Sequence, residues 1–127
     1  MDMVLRFAIQ ESVEQWVGSA EKVLELFQTQ PGFQSAKVCM AIDDDTTGLI
    51  FLHFDSIGNY RRALSNYSIK LEATRFLSQA IDESSAFEVL VSFTPSEKTH
   101  FQSEKTLDTQ EIALGDAATP RAQSRIE

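Results

Sequence analysis

Few side chains in this sequence could do chemistry near neutral pH, and several of them lie around one predicted hairpin. His53 stands near the end of an apolar stretch, and because an imidazole titrates near neutrality it could act as a base or proton shuttle. Tyr60 and Tyr67 follow in the next predicted helix, where their hydroxyls could hold a substrate phenol. Trp16 and Phe51 could pack against a flat aromatic ligand. The sequence therefore predicts catalytic roles for His53 and Tyr60 and substrate-binding roles for Trp16, Phe51 and Tyr67.

Each of these residues also has a structural interpretation, which is the commoner one for its type. A histidine in a core or interface is ordinarily hydrogen-bonded and inert. Trp16 falls on an apolar helical stripe, where core packing is the usual role. The hydroxyls of Tyr60 and Tyr67 could simply reach solvent at the edge of the core. The sequence therefore leaves open whether the protein is an enzyme.

The hairpin decides which of these residues can meet. Residues 35–42 alternate polar and apolar side chains, the period of a half-buried strand, and residues 49–54 are almost all apolar. Between them lies an acidic loop that ends in a glycine, a composition that favours turns. If Ile42 pairs with Leu49, His53 shares a face with the most apolar residues. A slip of one residue would move it to the other face.

The first part of the chain predicts a strand followed by a helix. Residues 3–10 alternate apolar and other side chains, as in a half-buried strand. Ser12 is followed three residues later by Gln15, the spacing of a capping box that starts an amphipathic helix. Pro31 and Gly32 end that helix and turn the chain into the hairpin.

The part after the hairpin predicts a second helix and a fourth strand. Ser56 is a suitable cap, and the apolar stripe of the helix loses its phase between residues 66 and 74, so we expect a break there. Residues 87–93 alternate as a strand. The order is strand, helix, strand, strand, helix, strand. This predicts an α+β, ferredoxin-like βαββαβ fold with a four-stranded antiparallel sheet and both helices on one face.

Two helices cover only one face of such a sheet, and the other face still offers apolar residues. Val4, Ala8, Ala41 and Leu90 are predicted on it. Because an exposed apolar face of this size is typical of an interaction surface, we expect a homodimer with the sheets packed face to face.

Composition limits the remaining possibilities. At 127 residues the chain fits one domain, predicted over residues 1–95, and residues 96–127 form a polar tail that we expect to be partly ordered or disordered. The net charge of −8 argues against nucleic acid or an anionic membrane as a partner. The sequence has no long apolar run, no closely spaced His/Cys ligand pair and a single cysteine, so we expect a cytoplasmic protein without a metal.

The hairpin and its flanks also resemble a known family. The turn Gln30-Pro31-Gly32-Phe33, the acidic hairpin Asp43-Asp44-Asp45, the segment His53-Phe54-Asp55-Ser56 and Tyr60 together resemble the antibiotic biosynthesis monooxygenase-like group of dimeric α/β barrels. The resemblance covers about residues 3–95. It implies a pocket between helices and sheet that is used, in some members, for cofactor-independent oxygenation of aromatic polyketides or quinols and, in others, for haem degradation.

The haem-degrading branch does not fit this sequence. Those relatives use an Asn on the first strand, where this chain has Arg6, Ala8 and Gln10. We therefore expect no cofactor. The resemblance implies a small monooxygenase-like oxidoreductase that acts on a small aromatic, polyketide or quinol compound. The alternative is a non-catalytic dimeric module that binds a small ligand or a protein partner.

Overall fold

A computed structural model of the chain describes residues 1–104. The described chain forms two compact units, one over residues 1–88 and one that starts at Val89. The strands of the first unit are β1 (Asp2–Ala8), β2 (Phe33–Ala41), β3 (Asp44–Phe54) and β4 (Ala86–Phe87). Its helices are α1 (Val13–Gln28), α2 (Ile57–Ser65), α3 (Tyr67–Glu72) and α4 (Thr74–Leu77). The second unit has β5 (Val91–Phe93) and β6 (Lys98–His100).

The first helix begins and packs as its sequence predicts. The Ser12 side chain accepts a hydrogen bond from the Gln15 amide, and the Gln15 side chain accepts one from the Ser12 amide. This reciprocal pair satisfies two amides that the helix leaves free at its start. The residues that α1 buries lie at helical intervals and join the core: Trp16, Ala20, Val23 and Phe27.

The second helical segment is broken, as its loss of phase predicts. The Ser56 side chain accepts from the Asn59 amide and starts α2. Asn66 ends α2 with an extended backbone, and its side chain accepts from the Ile69 amide, so the same residue caps α3. A further break at Ala73 separates α3 from α4. The predicted second helix is therefore three short helices, α2, α3 and α4.

The four main strands form one antiparallel sheet in the order β2-β3-β1-β4. This is the predicted ferredoxin-like arrangement, and it is confirmed. The hairpin register differs from the prediction by three residues, because Cys39 rather than Ile42 pairs with Leu49. The turn occurs at residues 42–43, and a register shift between Met40 and Ala41 leaves extra β3 residues unpaired with β2. Side chains alternate between the two faces along a strand, so a register change by an odd number of residues exchanges the faces. Relative to β2, every β3 side chain therefore lies on the face opposite to that predicted.

The inner face of the sheet, toward the helices, carries the core. It is formed by Met3, Leu5 and Phe7 of β1, by Val38 of β2, and by Ile50, Leu52 and Phe54 of β3. The outer face consists of Asp2, Val4, Arg6, Ala8, Lys37, Cys39, Leu49, Phe51 and His53. Its apolar members Val4, Leu49 and Phe51 are only partly buried.

The predicted fourth strand is correct only at its start. Ala86 and Phe87 pair with β1, but Val91–Phe93 pairs with Lys98–His100 in a separate two-stranded ribbon. A turn explains this: the Thr94 amide donates to the Glu97 carbonyl, and the Glu97 amide donates to Thr94 Oγ1. Lys98–His100, which lie in the predicted polar tail, thus pair with the second half of the predicted strand. The part of the predicted tail from residue 105 onward lies outside the described residues.

Across the described residues, no helix is both long and apolar enough to cross a membrane.

Candidate functional site

An open cavity of about 670 Å³ lies between the inner face of the sheet and the broken helical segment. Met3 and Leu5 of β1, with Leu64 and Leu77, supply its apolar wall. Its polar lining consists of Tyr60, Lys70, Thr74, Ser78 and Ser85. This size suits a drug-sized organic molecule, and a mostly apolar wall with a few polar groups is typical of a small-molecule site.

Tyr60 is positioned by the start of α2. The Tyr60 amide donates to the Ser56 carbonyl, and the edge of its ring packs against Phe54 at a centroid distance of 6.1 Å. Burial raises the pKa of the Tyr60 phenol, opposed in part by the nearby charge of Arg61. The phenol therefore stays protonated at neutral pH and can donate a hydrogen bond to an oxygen in the cavity.

The break in the helix positions the remaining polar lining. Lys70, Thr74, Leu77 and Ser78 follow one another at helical spacing, so they share one side of α3 and α4 despite the break at Ala73. Across from them, Ser85 is held near the sheet because its carbonyl accepts a 2.7 Å hydrogen bond from the Val4 amide.

Trp16 lies in the core rather than on the cavity wall. Its side chain is 1% exposed, and it packs against Phe7 and Phe76 at centroid distances of 5.4 and 6.5 Å. Gly48 makes this possible, because a Cβ at that position would lie 2.5 Å from the indole ring. Trp16 Nε1 is buried and has no hydrogen-bond partner among the described residues. The surroundings of Trp16 are those of a packing residue.

His53 and Phe51 lie on the outer face of the sheet, on the side opposite to the cavity. His53 Nδ1 is 2.5 Å from Asp2 Oδ1, and both side chains are partly exposed. The ammonium of Lys37 lies 5.4 Å from the centroid of the Phe51 ring. The strand alternation that buries Ile50 and Leu52 turns their neighbours away from the helices.

The structure therefore does not bring the five candidate residues together. Tyr60 lines the cavity, Trp16 is in the core, His53 and Phe51 are on the outer face, and Tyr67 is 75% exposed. The cause for His53 and Phe51 is the three-residue change in hairpin register. Their individual roles in catalysis and binding stay predictions.

Sequence reasoning missed four polar residues of the cavity: Lys70, Thr74, Ser78 and Ser85. The signal was present for the first three, since their spacing follows the helical period. This spacing was not recognised as a site because the broken helix has no continuous stripe. In addition, small hydroxyl residues on helices usually face solvent. Ser85 gave no signal, because it lies in a polar turn of the predicted structure.

Within residues 1–104, no group of three or more His, Cys, Asp or Glu side chains is arranged to hold a metal ion.

Comparison with known proteins shows which solved structures have a similar fold. No family model and no curated protein sequence matches the chain. Among solved structures, it is similar to SnoaB, a cofactor-independent oxygenase from Streptomyces nogalater, with 20% identity and a TM-score of 0.57 over 84% of this chain and 94% of SnoaB. A conserved protein from Methanosarcina mazei is similar at 13% identity and a TM-score of 0.55, over 67% of this chain and 84% of that one.

A structure described as an antibiotic biosynthesis monooxygenase is also similar, at 8% identity and a TM-score of 0.50, over 68% of this chain and 92% of that one. At these identities the likeness establishes the fold. The protein is an α+β chain of the ferredoxin-like class. More particularly, it has the fold of the antibiotic biosynthesis monooxygenases, so the resemblance indicated by the sequence is confirmed at the level of the fold.

Proposed function

We propose that the protein is a cofactor-independent oxygenase that acts on a small aromatic compound of the polyketide or quinol type. The observation that carries this proposal is the cavity of about 670 Å³ beside Tyr60, in a fold shared with the cofactor-independent oxygenase SnoaB. Met3, Leu5, Leu64 and Leu77 provide an apolar wall for an aromatic ring system. The Tyr60 hydroxyl provides a donor for an oxygen on that ring.

The proposed reaction needs only the substrate and dioxygen. A phenol that carries a hydrogen ortho or para to its hydroxyl loses a proton, and the resulting anion supplies both electrons to O₂ as a carbon–oxygen bond forms at that position. The hydroperoxide then breaks its O–O bond, leaving a quinone and one water. Phenol and O₂ thus give quinone and H₂O, with one oxygen atom in each product. A hydrogen bond from Tyr60 to the phenolate oxygen stabilises the anion, which is the group that reacts.

His53 was predicted as the base for this chemistry, but it lies on the other side of the sheet. We therefore propose that the proton leaves through the open mouth of the cavity to solvent. This works for acidic phenols, anthrones and quinols, because a donor on the phenolate oxygen lowers the pKa of the bound substrate.

The test is oxygen consumption with anthrone and with 1,4-naphthohydroquinone, corrected for autoxidation. Removing the donor in Tyr60→Phe should lower kcat/KM by roughly a hundredfold to a thousandfold, the range for loss of one anion-stabilising hydrogen bond. Tyr67→Phe is the matched control, since its side chain is 75% exposed and does not line the cavity. Oxygen consumption no faster than autoxidation, or equal rates for the two variants, would contradict the proposal.

A second candidate is a non-catalytic dimeric module that binds a small ligand or a protein partner. One observation favours it: among the described residues that line the cavity, none is a histidine or a carboxylate that could act as a base near neutral pH. Binding of an aromatic compound without oxygen consumption would support this second candidate.

We also propose that two copies of the chain associate through the outer face of the sheet. Support comes from the partly exposed apolar side chains Val4, Leu49 and Phe51, which lie side by side on neighbouring strands. Phe87 of β4, 47% exposed, extends the patch past Asp2. An apolar patch rimmed by charged residues is typical of a protein interface.

A further inference from the structure

The cavity has a charge pattern that differs from that of the whole chain. The sequence has 19 acidic and 11 basic residues. Yet among residues 1–104, those that line the cavity include one cation, Lys70, and no carboxylate. A ligand inside the cavity therefore meets a positive group, although the protein as a whole repels anions.

Lys70 is also free to bind a ligand. Its ammonium makes no ion pair and no hydrogen bond with any described residue, whereas Arg6 is paired with Glu83 and Lys37 lies over the Phe51 ring. The side chain starts from the last turn of α3, one helical turn before Thr74 on the same wall. Lys70, an exposed residue of the cavity lining, carries three ammonium donors and shares that lining with hydroxyl and apolar side chains.

We propose that the cavity selects aromatic compounds that carry a fixed anionic group, such as a carboxylate, and that Lys70 is the residue that recognises this group. The inference rests on the proposed function, because it takes the same cavity as the substrate site. The aromatic rings lie on the leucine and methionine side chains, Tyr60 donates to a ring oxygen, and the anion pairs with Lys70 at the rim. A neutral analogue with the same ring system keeps the remaining interactions and loses only the pairing with Lys70.

The anion preference is modest in size. Lys70 is exposed, and ion pairs in contact with water contribute little, so about a fivefold preference for the anionic over the neutral compound is expected. The preference should decrease as salt is added, because exposed charges are screened.

A purely structural role for Lys70 makes a different prediction. A cation in the last turn of a helix interacts favourably with the free carbonyls there, and Lys70 occupies such a position in α3. That role would affect the melting temperature, but it would not distinguish an anionic ligand from a neutral one.

The test compares 2-naphthoate with its neutral isostere 2-naphthamide by calorimetric titration of the full chain. The wild type should bind naphthoate about fivefold more tightly. Lys70→Gln should bind the two compounds equally and leave the Kd for naphthamide unchanged, whereas Lys70→Arg should retain the preference. Lys22→Gln, a change of an exposed lysine of α1 that does not line the cavity, should behave as the wild type does.

Three results would overturn the inference: no naphthoate binding by the wild type, equal binding of both compounds, or a preference that survives in Lys70→Gln. The result is separable from that of the proposed function. Anion selection that depends on Lys70, without oxygen consumption, would reject the oxygenase and keep the inference. Oxygenation of neutral quinols with no anion preference would keep the oxygenase and reject the inference.

Discussion

The two faces of the sheet are made from alternate residues of the same strands, yet they differ in almost every property. On the inner face, Ile50, Leu52 and Phe54 are at most 1% exposed. On the outer face, Leu49 and Phe51 between them remain partly exposed, and charged pairs such as Arg6 with Glu83 lie nearby. Neighbouring residues of one strand thus belong to a core and to a surface. The inner face forms the core and lines the cavity, and we propose that the outer face contacts a second subunit.

The comparison predicts the largest difference for two adjacent residues of β3. Ile50→Ala should lower the free energy of unfolding by about 2–5 kcal/mol, because it opens a cavity in a packed core. Leu49→Ala should cost about 1 kcal/mol or less, as is usual for a partly exposed side chain. Urea denaturation at concentrations where the chain is monomeric measures both. Equal losses would mean that the two faces are packed alike.

A smaller loss in the free energy of unfolding is expected at Gly48, where the inner face packs closely against Trp16. Gly48→Ala should destabilise by about 1–3 kcal/mol, because its Cβ would lie 2.5 Å from the Trp16 ring. The cost should decrease in a Trp16→Phe background, where the clashing ring atoms are absent. Gly18→Ala is the matched control. It lies inside α1 with nothing within 4 Å of its Cβ, and it should stabilise by about 0.5–1 kcal/mol.

On the outer face the expected effect is on association rather than on folding. Phe51→Glu places a charge in the middle of the proposed interface, so it should convert a dimer into a monomer of 14.2 kDa with little change in the monomer's melting temperature. Light scattering after size exclusion measures the mass, and Lys22→Gln on α1 controls for the change of one unit in net charge. A wild-type chain that is already monomeric would reject the outer face as a dimer interface.

The smallest effect is expected at the edge of the outer face, in the pair formed by Arg6 and Glu83. Hydrogen bonds from Arg6, followed by its charge, lower the pKa of Glu83. Because the folded pKa is below the unfolded one, the stabilisation is complete above the ordinary glutamate pKa and is lost as the pH falls through the folded pKa. Glu83→Gln should therefore be slightly less stable than the wild type at pH 7 and equal to it in acid. Denaturation at both pH values, with Glu21→Gln on α1 as control, measures this; a gap that widens in acid would contradict it.

The elements that form from local interactions could be predicted from the sequence. The capping box at Ser12, the apolar stripe of α1, the cap at Ser56 and the break near Asn66 depend on residues three or four positions apart. The sheet order then followed from the order of elements. The fold was predictable because each local signal agreed with the global arrangement.

The candidate site could not be predicted, because it depends on the register in which β2 pairs with β3. The sequence predicts the turn within the acidic loop, whereas Asp44 accepts hydrogen bonds from Thr46 and Thr47 within β3 and the turn precedes it. Because the turn lies earlier in the sequence than predicted, the two faces of β3 are exchanged relative to the prediction. His53 and Phe51 therefore lie on the side of the sheet opposite to the cavity. The close fit of Gly48 against Trp16 is consistent with this register, but it becomes visible only in three dimensions.

The most direct test of this account is a map of ligand-induced shifts over the methyl groups of both faces. Methyl-labelled protein is titrated with 2-naphthoate and followed by NMR. The account predicts shifts at Met3, Leu5, Leu64 and Leu77, which line the cavity, while Val4 and Leu49 on the outer face stay unchanged. Shifts centred on Val4 and Leu49, or no shifts at the cavity methyls, would contradict it.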